Sequence, residues 1–392
     1  MSSRRSILFA HALALAMSAW ATSALAQDGN AECQDLPAPG TSGWLSHDEV
    51  VAALQRIEHT SQGRVRLQVF GQTARGRDLY AARVGTGDRV LLVTSEIHGN
   101  EKSGTIALVR ILEELGASRS AEVQAILSGV TLVAVPMFNA DGGSLNRRQN
   151  DYPWAEVTAD FPQLAGATPA WYYSSARGGF DINRDFHANL AYEPRAEDLP
   201  GSDPEFGFYL THESRALRAL YKTLREEFGQ VHGYVDLHHM GPCNQRLTDG
   251  QYVSVALDYP PLGPDGTSKY AAWPLLDQAQ SRRYALAAYL GIREQAGGGQ
   301  AETSPFLGGV ARYIHPMTRD LPGQARCSFA MNGSATVLFE VRGQSDTWGQ
   351  KQMGVLTQVV RSGVMGILSH MADGSIDALD DARFFEIPKY DW

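Results

Sequence analysis

The chain contains few cysteines and lacks the sequence signatures of several large enzyme classes. It has no Gly-x-Ser-x-Gly segment, which argues against a serine enzyme of the α/β-hydrolase type. It has neither a P-loop nor a Gly-x-Gly-x-x-Gly segment, which argues against nucleotide-driven and nicotinamide chemistry. His-Glu-x-x-His is also missing, so the zincin type of zinc site, which is carried on one helix, is excluded. The three cysteines, Cys33, Cys243 and Cys327, allow at most one disulfide, and the sequence leaves its pairing open.

An excess of positive charge and a long internal apolar run are absent as well. The chain has 34 basic residues against 43 acidic ones, which gives a formal net charge of -9. This balance argues against nucleic acid or an anionic lipid surface as a partner. Beyond the N-terminal segment, no stretch approaches the ~18 apolar residues of a membrane span, so we expect a soluble mature protein.

The N-terminus has the three-part pattern of a secretory signal peptide. Arg4 and Arg5 precede an apolar stretch of about fifteen residues, which ends in small residues of the Ala-x-Ala type. The pattern predicts cleavage after Ala26, so that residues 1–26 are a signal peptide and the protein is secreted or periplasmic. Residues 27–44 are rich in glycine, proline and serine, and we expect them to form a loose lead-in segment.

Apolar runs with strand-like and helix-like periods alternate along the rest of the chain. Such alternation indicates an α/β fold, with a mixed, mainly parallel sheet and helices on both faces. We expect residues 45–372 to form a single large domain and residues 373–392 to form a C-terminal tail. Residues 151–178 and 241–333 have little periodicity and much glycine, proline and aromatic content, which predicts long loop insertions.

Two of the apolar runs end in residues that can bind a metal. His98 and Glu101 follow the run RVLLVTSEI and stand three residues apart around a Gly-Asn pair. His238 and His239 end the run YVDLHH, and strand alternation places them on opposite faces. Ligands bind beyond the carboxyl ends of strands in open α/β sheets, so one of these histidines could complete a site with His98 and Glu101. A catalytic zinc usually takes three such ligands and keeps a fourth position open for water.

An acidic residue lies inside a third apolar run, TVLFEVRG. Glu340 is flanked there by Phe339 and Val341, and burial of an unpaired carboxylate is costly. We therefore expect Glu340 either to form a buried ion pair, with Arg342 or another arginine, or to have a function. Partial burial would raise its pKa towards the range that suits a general base.

Five motifs occur in the order found in the carboxypeptidase A-like zinc metallocarboxypeptidases. They are HGNE, FNADG, FDINRDF, VDLHHMG and LFEVRG, and the resemblance covers residues 45–372. The chain is similar to the bacterial secreted branch of this family. The resemblance implies the zinc carboxypeptidase fold and one zinc ion per chain, held by His98, Glu101 and His238. It also implies that Glu340 is the general base that activates a zinc-bound water.

The resemblance assigns further residues to the substrate. Asn183 and Arg184 match the pair that grips the terminal carboxylate of a peptide. The arginine that stabilises the oxyanion should follow the FNADG motif. Arg148 fits the family's Arg-x-Asn spacing, and the alternatives are Arg147 and Arg177.

Three other positions bear on the site and its specificity. Asp181 matches the acid that orients the first histidine. Asp185 stands where digestive members of the family have asparagine. Arg326 lies in the region that sets the pocket for the terminal side chain in the family, and it could favour an acidic side chain.

The resemblance therefore predicts a zinc metallocarboxypeptidase that hydrolyses the C-terminal amide bond of peptides, with cell-wall peptides as one candidate substrate. The expected partner is a peptide or peptide-like substrate with a free carboxylate. A zinc amidase or deacylase on the same scaffold is the alternative. A metal-binding protein without catalysis is a third hypothesis, against which the retention of Glu340 argues.

Overall fold

The computed structural model describes residues 44–263, 268–295, 309–313, 320–343 and 349–391. The predicted signal peptide, Cys33 and nearly all of the predicted lead-in segment lie outside these residues. No helix in the described part of the chain is long and apolar enough to cross a membrane.

Helices and strands alternate along the described chain, as the sequence predicts. The helices are α1 (His47–Thr60), α2 (Ser103–Ala117), α3 (Ala121–Gly129), α4 (Ala140–Ser144), α5 (Trp154–Asp160), α6 (His212–Phe228), α7 (Gln278–Gln295), α8 (Ala325–Met331) and α9 (Gly349–Ala372). The strands are β1 (Val65–Gln72), β2 (Asp78–Val84), β3 (Arg89–Ser95), β4 (Val130–Val135), β5 (Tyr173–Ser174), β6 (Gly179–Phe180), β7 (Gly233–Met240), β8 (Gln245–Arg246), β9 (Val253–Asp258), β10 (Gly309–Arg312), β11 (Ala335–Arg342) and β12 (Tyr390–Asp391).

The main sheet has eight strands, in the order β1-β2-β4-β3-β7-β11-β9-β10. The neighbours β4, β3, β7 and β11 run parallel, and so do β9 and β10. The pairs β1/β2, β2/β4 and β9/β11 are antiparallel. The prediction of a mixed, mainly parallel sheet is confirmed.

Helices cover both faces of this sheet. α1, α2, α3, α7 and α9 pack on one face, against strand residues such as Val93 and Val235. α6 and α8 pack on the other face, against residues such as Leu92 and Tyr234. Because both faces are covered, the central strands are apolar on both sides, which explains why β4 is buried along its whole length.

The prediction of long loops is only partly right. Within 241–333 the structure places β9 and β10, two strands of the main sheet. β9 is only six residues long, and short apolar runs do not distinguish a strand from other buried segments. Residues 151–178 do consist mainly of irregular chain, with α5 and β5 as their main regular elements.

The predicted C-terminal tail packs onto the domain. Phe384, Ile387 and Tyr390 are buried, and β12 pairs antiparallel with β8. Cys243, which precedes β8, is disulfide-bonded, whereas Cys327 in α8 is a free, buried thiol. The tail therefore contributes to the packing around β8.

Asp185 anchors the turn that follows β6 to the start of α6. Its carboxylate is fully buried and accepts hydrogen bonds from Tyr172 Oη, Leu210 N, Thr211 N and Ser214 Oγ, at 2.6, 2.9, 2.7 and 2.6 Å. An ionised carboxylate only accepts hydrogen bonds, whereas an asparagine amide would direct N–H groups at two of these donors. This explains in physical terms why aspartate rather than asparagine follows Arg184 in this chain.

We predict that Asp185→Asn lowers the free energy of unfolding by about 1–3 kcal/mol, because it leaves a buried donor without an acceptor. Urea unfolding monitored by circular dichroism measures this change. Asp48→Asn is the matched control, since the Asp48 side chain is fully exposed and its loss should change stability by less than about 0.5 kcal/mol. Equal stability of both variants would contradict the anchoring role of Asp185.

Candidate metal centre

Three side chains that can bind a metal converge at the carboxyl ends of β3 and β7. The Nδ1 atoms of His98 and His238 are 3.1 Å apart, although the two residues are 140 positions apart in sequence. The two carboxylate oxygens of Glu101 lie 2.9 Å from these nitrogens, one on each. All three residues are buried, and their ligand atoms lie within 4.8 Å of one another. They form a group that could hold a metal ion.

The donor set and its spacing suit zinc. Two imidazoles and one carboxylate are a common catalytic zinc set, and the ligand atoms of a tetrahedral zinc are about 3.3 Å apart. The separations of 2.9–3.1 Å are close to that value. Behind the two rings, His98 Nε2 lies 3.2 Å from Asp181 and His238 Nε2 lies 3.0 Å from Asp236. Each Nε2 can therefore carry the ring proton, which leaves both Nδ1 lone pairs for a metal.

The charges around this centre compensate for burial. Burial alone would raise the pKa of the Glu101 carboxyl, but His98 and His238 hold that pKa well below its usual range. Burial alone would lower the pKa of His238, but Asp236 and Glu101 outweigh it and raise the pKa to about 10. A metal ion and a proton therefore compete for the same nitrogen in this group.

His239 lies on the opposite face of β7 and caps a helix. Its Nε2 accepts hydrogen bonds from Ser103 N and Ser103 Oγ, at 2.8 and 2.5 Å, at the N-terminus of α2. Burial lowers the pKa of His239 to about 4, which keeps the ring neutral and able to accept. The structure thus brings His238 to the metal centre and gives His239 a structural contact.

Glu340 lies beside His238 on the neighbouring strand. β11 runs parallel to β7, and Glu340 pairs in register with His238. Burial raises the pKa of the Glu340 carboxyl to about 8, although the charge of His238 acts the other way. A cation at the metal centre would lower this pKa towards neutral pH, where a carboxylate can act as a general base. The predicted alternative partner, Arg342, donates a hydrogen bond to the Pro242 carbonyl at 2.6 Å.

Arg148 is the candidate arginine that the structure brings to the metal centre. Its Nη1 lies 3.1 Å from His98 Nδ1 and 3.8 Å from the Glu101 carboxylate. Its Nε and Nη2 donate to one oxygen of Asp181, at 3.0 and 2.8 Å. Burial alone would raise the pKa of Asp181, but Arg148 and Arg184 hold it well below its usual range. Asp181 is therefore a carboxylate that contacts Arg148 with one oxygen and His98 with the other.

The two alternative arginines lie outside this cluster. Arg147 donates to the carbonyls of Asn150 and Arg177 at 2.5 and 2.6 Å, and it pairs with Asp151 at 3.1 Å. Arg177 is exposed in the turn between β5 and β6. Of the three candidates, Arg148, which has the family's Arg-x-Asn spacing, is therefore the one that lies at the candidate metal centre.

Asn183 and Arg184 follow Asp181 in a short turn beside the same centre. The Asn183 side-chain oxygen accepts from Ala325 N at 3.0 Å, and its Nδ2 lies 3.2 Å from His238 Nε2. The buried Asn183 is therefore bonded to α8 through its side-chain oxygen and lies next to the second histidine. The half-buried Arg184 donates to the Asn183 carbonyl at 2.7 Å, and its charge contributes to the low pKa of Asp181.

Sequence reasoning gave no role to the residues behind His238. Asp236 is fully buried, contacts His238 and accepts a hydrogen bond from Thr94 Oγ1 at 3.2 Å. Thr94 Oγ1 lies 2.6 Å from Tyr234 Oη, which extends this polar chain beneath the site. A signal was available, because Asp236 shares a strand face with His238 and an acid in an apolar strand needs a partner.

The chain is similar to known zinc carboxypeptidases in sequence and in structure. A family model described as zinc carboxypeptidase matches residues 50–243, a range that contains the three candidate metal ligands and Arg148. No curated protein matches the chain in sequence.

Several solved structures, carboxypeptidases among them, share the fold. Carboxypeptidase A from Helicoverpa armigera has a TM-score of 0.53 and 15% identity, over 86% of this chain and 74% of that one. Bovine thrombin-activatable fibrinolysis inhibitor, in complex with tick carboxypeptidase inhibitor, has a TM-score of 0.52 and 13% identity, over 84% and 98%. The metallo-carboxypeptidase from Burkholderia cenocepacia has a TM-score of 0.50 and 14% identity, over 83% and 69%.

We predict that His238→Ala lowers the metal content, whereas His239→Ala lowers the stability and leaves the metal content unchanged. His238→Ala should lose most of the zinc that the wild type holds at about one ion per chain, because it removes one of three ligands. His98→Ala should lose it in the same way. His239→Ala should keep the zinc but lower the free energy of unfolding by about 1 kcal/mol, because α2 loses its cap.

Elemental analysis of the purified variants measures the metal, and thermal unfolding measures stability. Retention of zinc by His238→Ala together with its loss from His239→Ala would reverse the assignment of the two histidines.

Proposed function

The chain belongs to the zinc carboxypeptidase family, and on that basis we propose that it is an exported metallocarboxypeptidase that uses Glu340 to activate the attacking water. The family is zinc-dependent, and the group suited to hold one ion consists of His98, Glu101 and His238. The observation that carries the proposal is the register of β7 and β11, which pairs Glu340, a carboxylate of raised pKa, with His238.

Glu340 is assigned the proton transfers. When bound, zinc supplies a Lewis acid that polarises the scissile carbonyl and lowers the pKa of a water molecule. The Glu340 carboxylate takes a proton from the attacking water and delivers it to the leaving amine. A carboxyl of raised pKa suits this role, because it has to hold the proton between the two transfers.

Arg148 is assigned to the negative charge that develops on the carbonyl oxygen. Two of its nitrogens bind Asp181, which fixes the plane of the guanidinium, while Nη1 is directed at the metal centre. A donor held in place before the reaction stabilises a developing charge without reorganisation. The Arg148 side chain is 38% exposed, so an incoming substrate can reach it.

Arg184 is assigned to the free carboxylate of the substrate, with Asn183 beside it. The planar fork of a guanidinium matches a carboxylate and can bind it through two parallel hydrogen bonds. The Asn183 side-chain oxygen already accepts a hydrogen bond from Ala325 N. We therefore expect Arg184 to supply more of the carboxylate binding energy than Asn183.

The signal-peptide pattern of residues 1–26 supports action outside the cytoplasm, where cell-wall peptides are candidate substrates. Arg326 is fully buried in α8 and pairs with Asp258 at 3.2 Å, so its charge is already compensated. A preference for an acidic terminal side chain stays a prediction. Release of glutamate and leucine from otherwise identical peptides tests it, and equal release would remove this argument for wall peptides.

We predict that Glu340→Gln keeps its zinc and its fold but lowers kcat by about 100-fold or more, because the amide cannot accept the water's proton. Metal analysis, circular dichroism and turnover of a free-ended peptide are measured on the same preparation. Glu122→Gln, at an exposed position on α3, is the matched control and should have wild-type turnover. A near-normal kcat in Glu340→Gln would show that the base is another group.

We predict that Arg184→Ala lowers kcat/KM on free-ended peptides by about ten- to several-hundred-fold, because a charge-assisted bond to the substrate is lost. The wild type should cleave the C-terminally amidated versions poorly, and the variant should discriminate far less between the two. Arg177→Ala, which removes an exposed arginine outside the site, is the control and should keep the wild-type preference. If the wild type cleaved both peptides equally well, the amidase or deacylase alternative would replace the carboxypeptidase proposal.

A further inference from the structure

A buried ion pair joins the two ends of the segment that carries His98 and Glu101. Glu96 is fully buried and Lys102 is 7% exposed, and Lys102 Nζ lies 3.4 Å from Glu96 Oε1. In sequence the pair brackets the two metal-binding residues, with one partner just before them and the other just after. Lysine is rarely buried without a specific partner, and Lys102 is the one buried lysine in the described part of the chain.

The Glu96–Lys102 pair joins three segments of the chain. The other Glu96 oxygen accepts from Thr105 Oγ1 in α2 at 2.6 Å, and the Glu96 carbonyl accepts from Asn139 N at 2.9 Å. Lys102 Nζ donates to the Gly143 carbonyl in α4 at 3.0 Å. The end of β3, the start of α2 and the segment around α4 are therefore held to one another beneath the metal centre.

Asn139 extends the same cluster to the reacting side of the site. Its Nδ2 donates to the carbonyls of Ile97 and Arg148, at 3.2 Å each. One network of buried polar groups thus fixes the backbone next to His98 and the backbone of Arg148.

This arrangement costs stability in two ways. Glu96 has a φ of +63°, a left-handed backbone conformation that residues other than glycine rarely adopt. A buried ion pair also pays for desolvation, and a well-packed apolar pair is often at least as stable. The surrounding chain makes room for it, since a Cβ on Gly143 would lie 2.5 Å from Glu96 Oε1. A costly feature at this place suggests a role other than overall stability.

We propose that Glu96 and Lys102 are positioning residues that set the separation and orientation of His98 and Glu101 before a metal binds. The inference rests on the proposed function, because it takes those two residues as metal ligands. A group held in place in the metal-free protein needs less ordering when the ion arrives. Loss of the pair should therefore weaken metal affinity and alter metal geometry more than it alters the fold.

The test uses Glu96→Gln, Lys102→Met, the double variant and the milder Thr105→Val. Zinc affinity is measured by titrating the metal-free protein against a competing chelator. The visible spectrum of the cobalt-substituted protein reports ligand geometry, and thermal unfolding of the metal-free form reports stability. The matched control is the Glu114–Arg361 pair at the far end of α2, which is half-buried with an Nε–Oε2 distance of 2.6 Å.

We expect zinc affinity to fall by about 10- to 100-fold in the single variants, as it does when partners of metal ligands are lost. The cobalt spectrum should change with it, and Thr105→Val should show a smaller fall in affinity. The double variant should regain stability, since it leaves no unpaired buried charge, but it should not regain zinc affinity. Glu114→Gln should lower stability and leave both metal measurements unchanged.

The double variant distinguishes a positioning role from a role in stability alone. It remains the deciding test if one of the single variants does not fold. The inference would be overturned if the double variant had wild-type zinc affinity and an unchanged cobalt spectrum. If the double variant does not fold, the same result in Thr105→Val would overturn it. Failure of the wild type itself to bind zinc would instead overturn the proposed function. The two failures are therefore distinguishable.

Discussion

The site depends on the in-register pairing of three parallel strands, β3, β7 and β11. Backbone hydrogen bonding holds neighbouring strands about 4.8 Å apart, so residues at the carboxyl ends of adjacent strands become neighbours whatever their separation in sequence. That pairing brings His98 to His238, and the register of β7 with β11 puts Glu340 beside His238. A slip of one residue in β7 would present His239 to the site and turn His238 away.

The same packing imposes an electrostatic condition on the site. Both faces of the sheet are covered by helices, so a charged group at its centre is costly unless another charge or hydrogen bond compensates it. Each imidazole accordingly has a carboxylate behind it, Asp181 behind His98 and Asp236 behind His238. Asp181 is balanced in turn by arginine. The partners that make burial tolerable also orient each ring so that Nδ1 faces the candidate metal centre.

A single turn links the proposed metal chemistry to proposed substrate binding. Asp181, Asn183, Arg184 and Asp185 follow one another closely, and the first contacts His98 while the last is anchored to the start of α6. The turn therefore has little freedom to move relative to the sheet. This geometry supports a fixed distance between a bound carboxylate and the metal centre, which is what removal of one terminal residue requires.

The sequence by itself determined the fold class, the three apolar runs that became β3, β7 and β11, and a short set of candidates that includes His98, Glu101 and Glu340. These properties depend on residue periodicity and on spacings of a few residues, which are local. Tertiary structure alone showed that β9 and β10 join the sheet, that Asp236 lies behind His238, and that a buried ion pair underlies the first ligand segment. Such contacts join residues far apart in the chain or depend on a side chain's exact direction. They are fixed only when strands pair in register and helices bury both faces of the sheet.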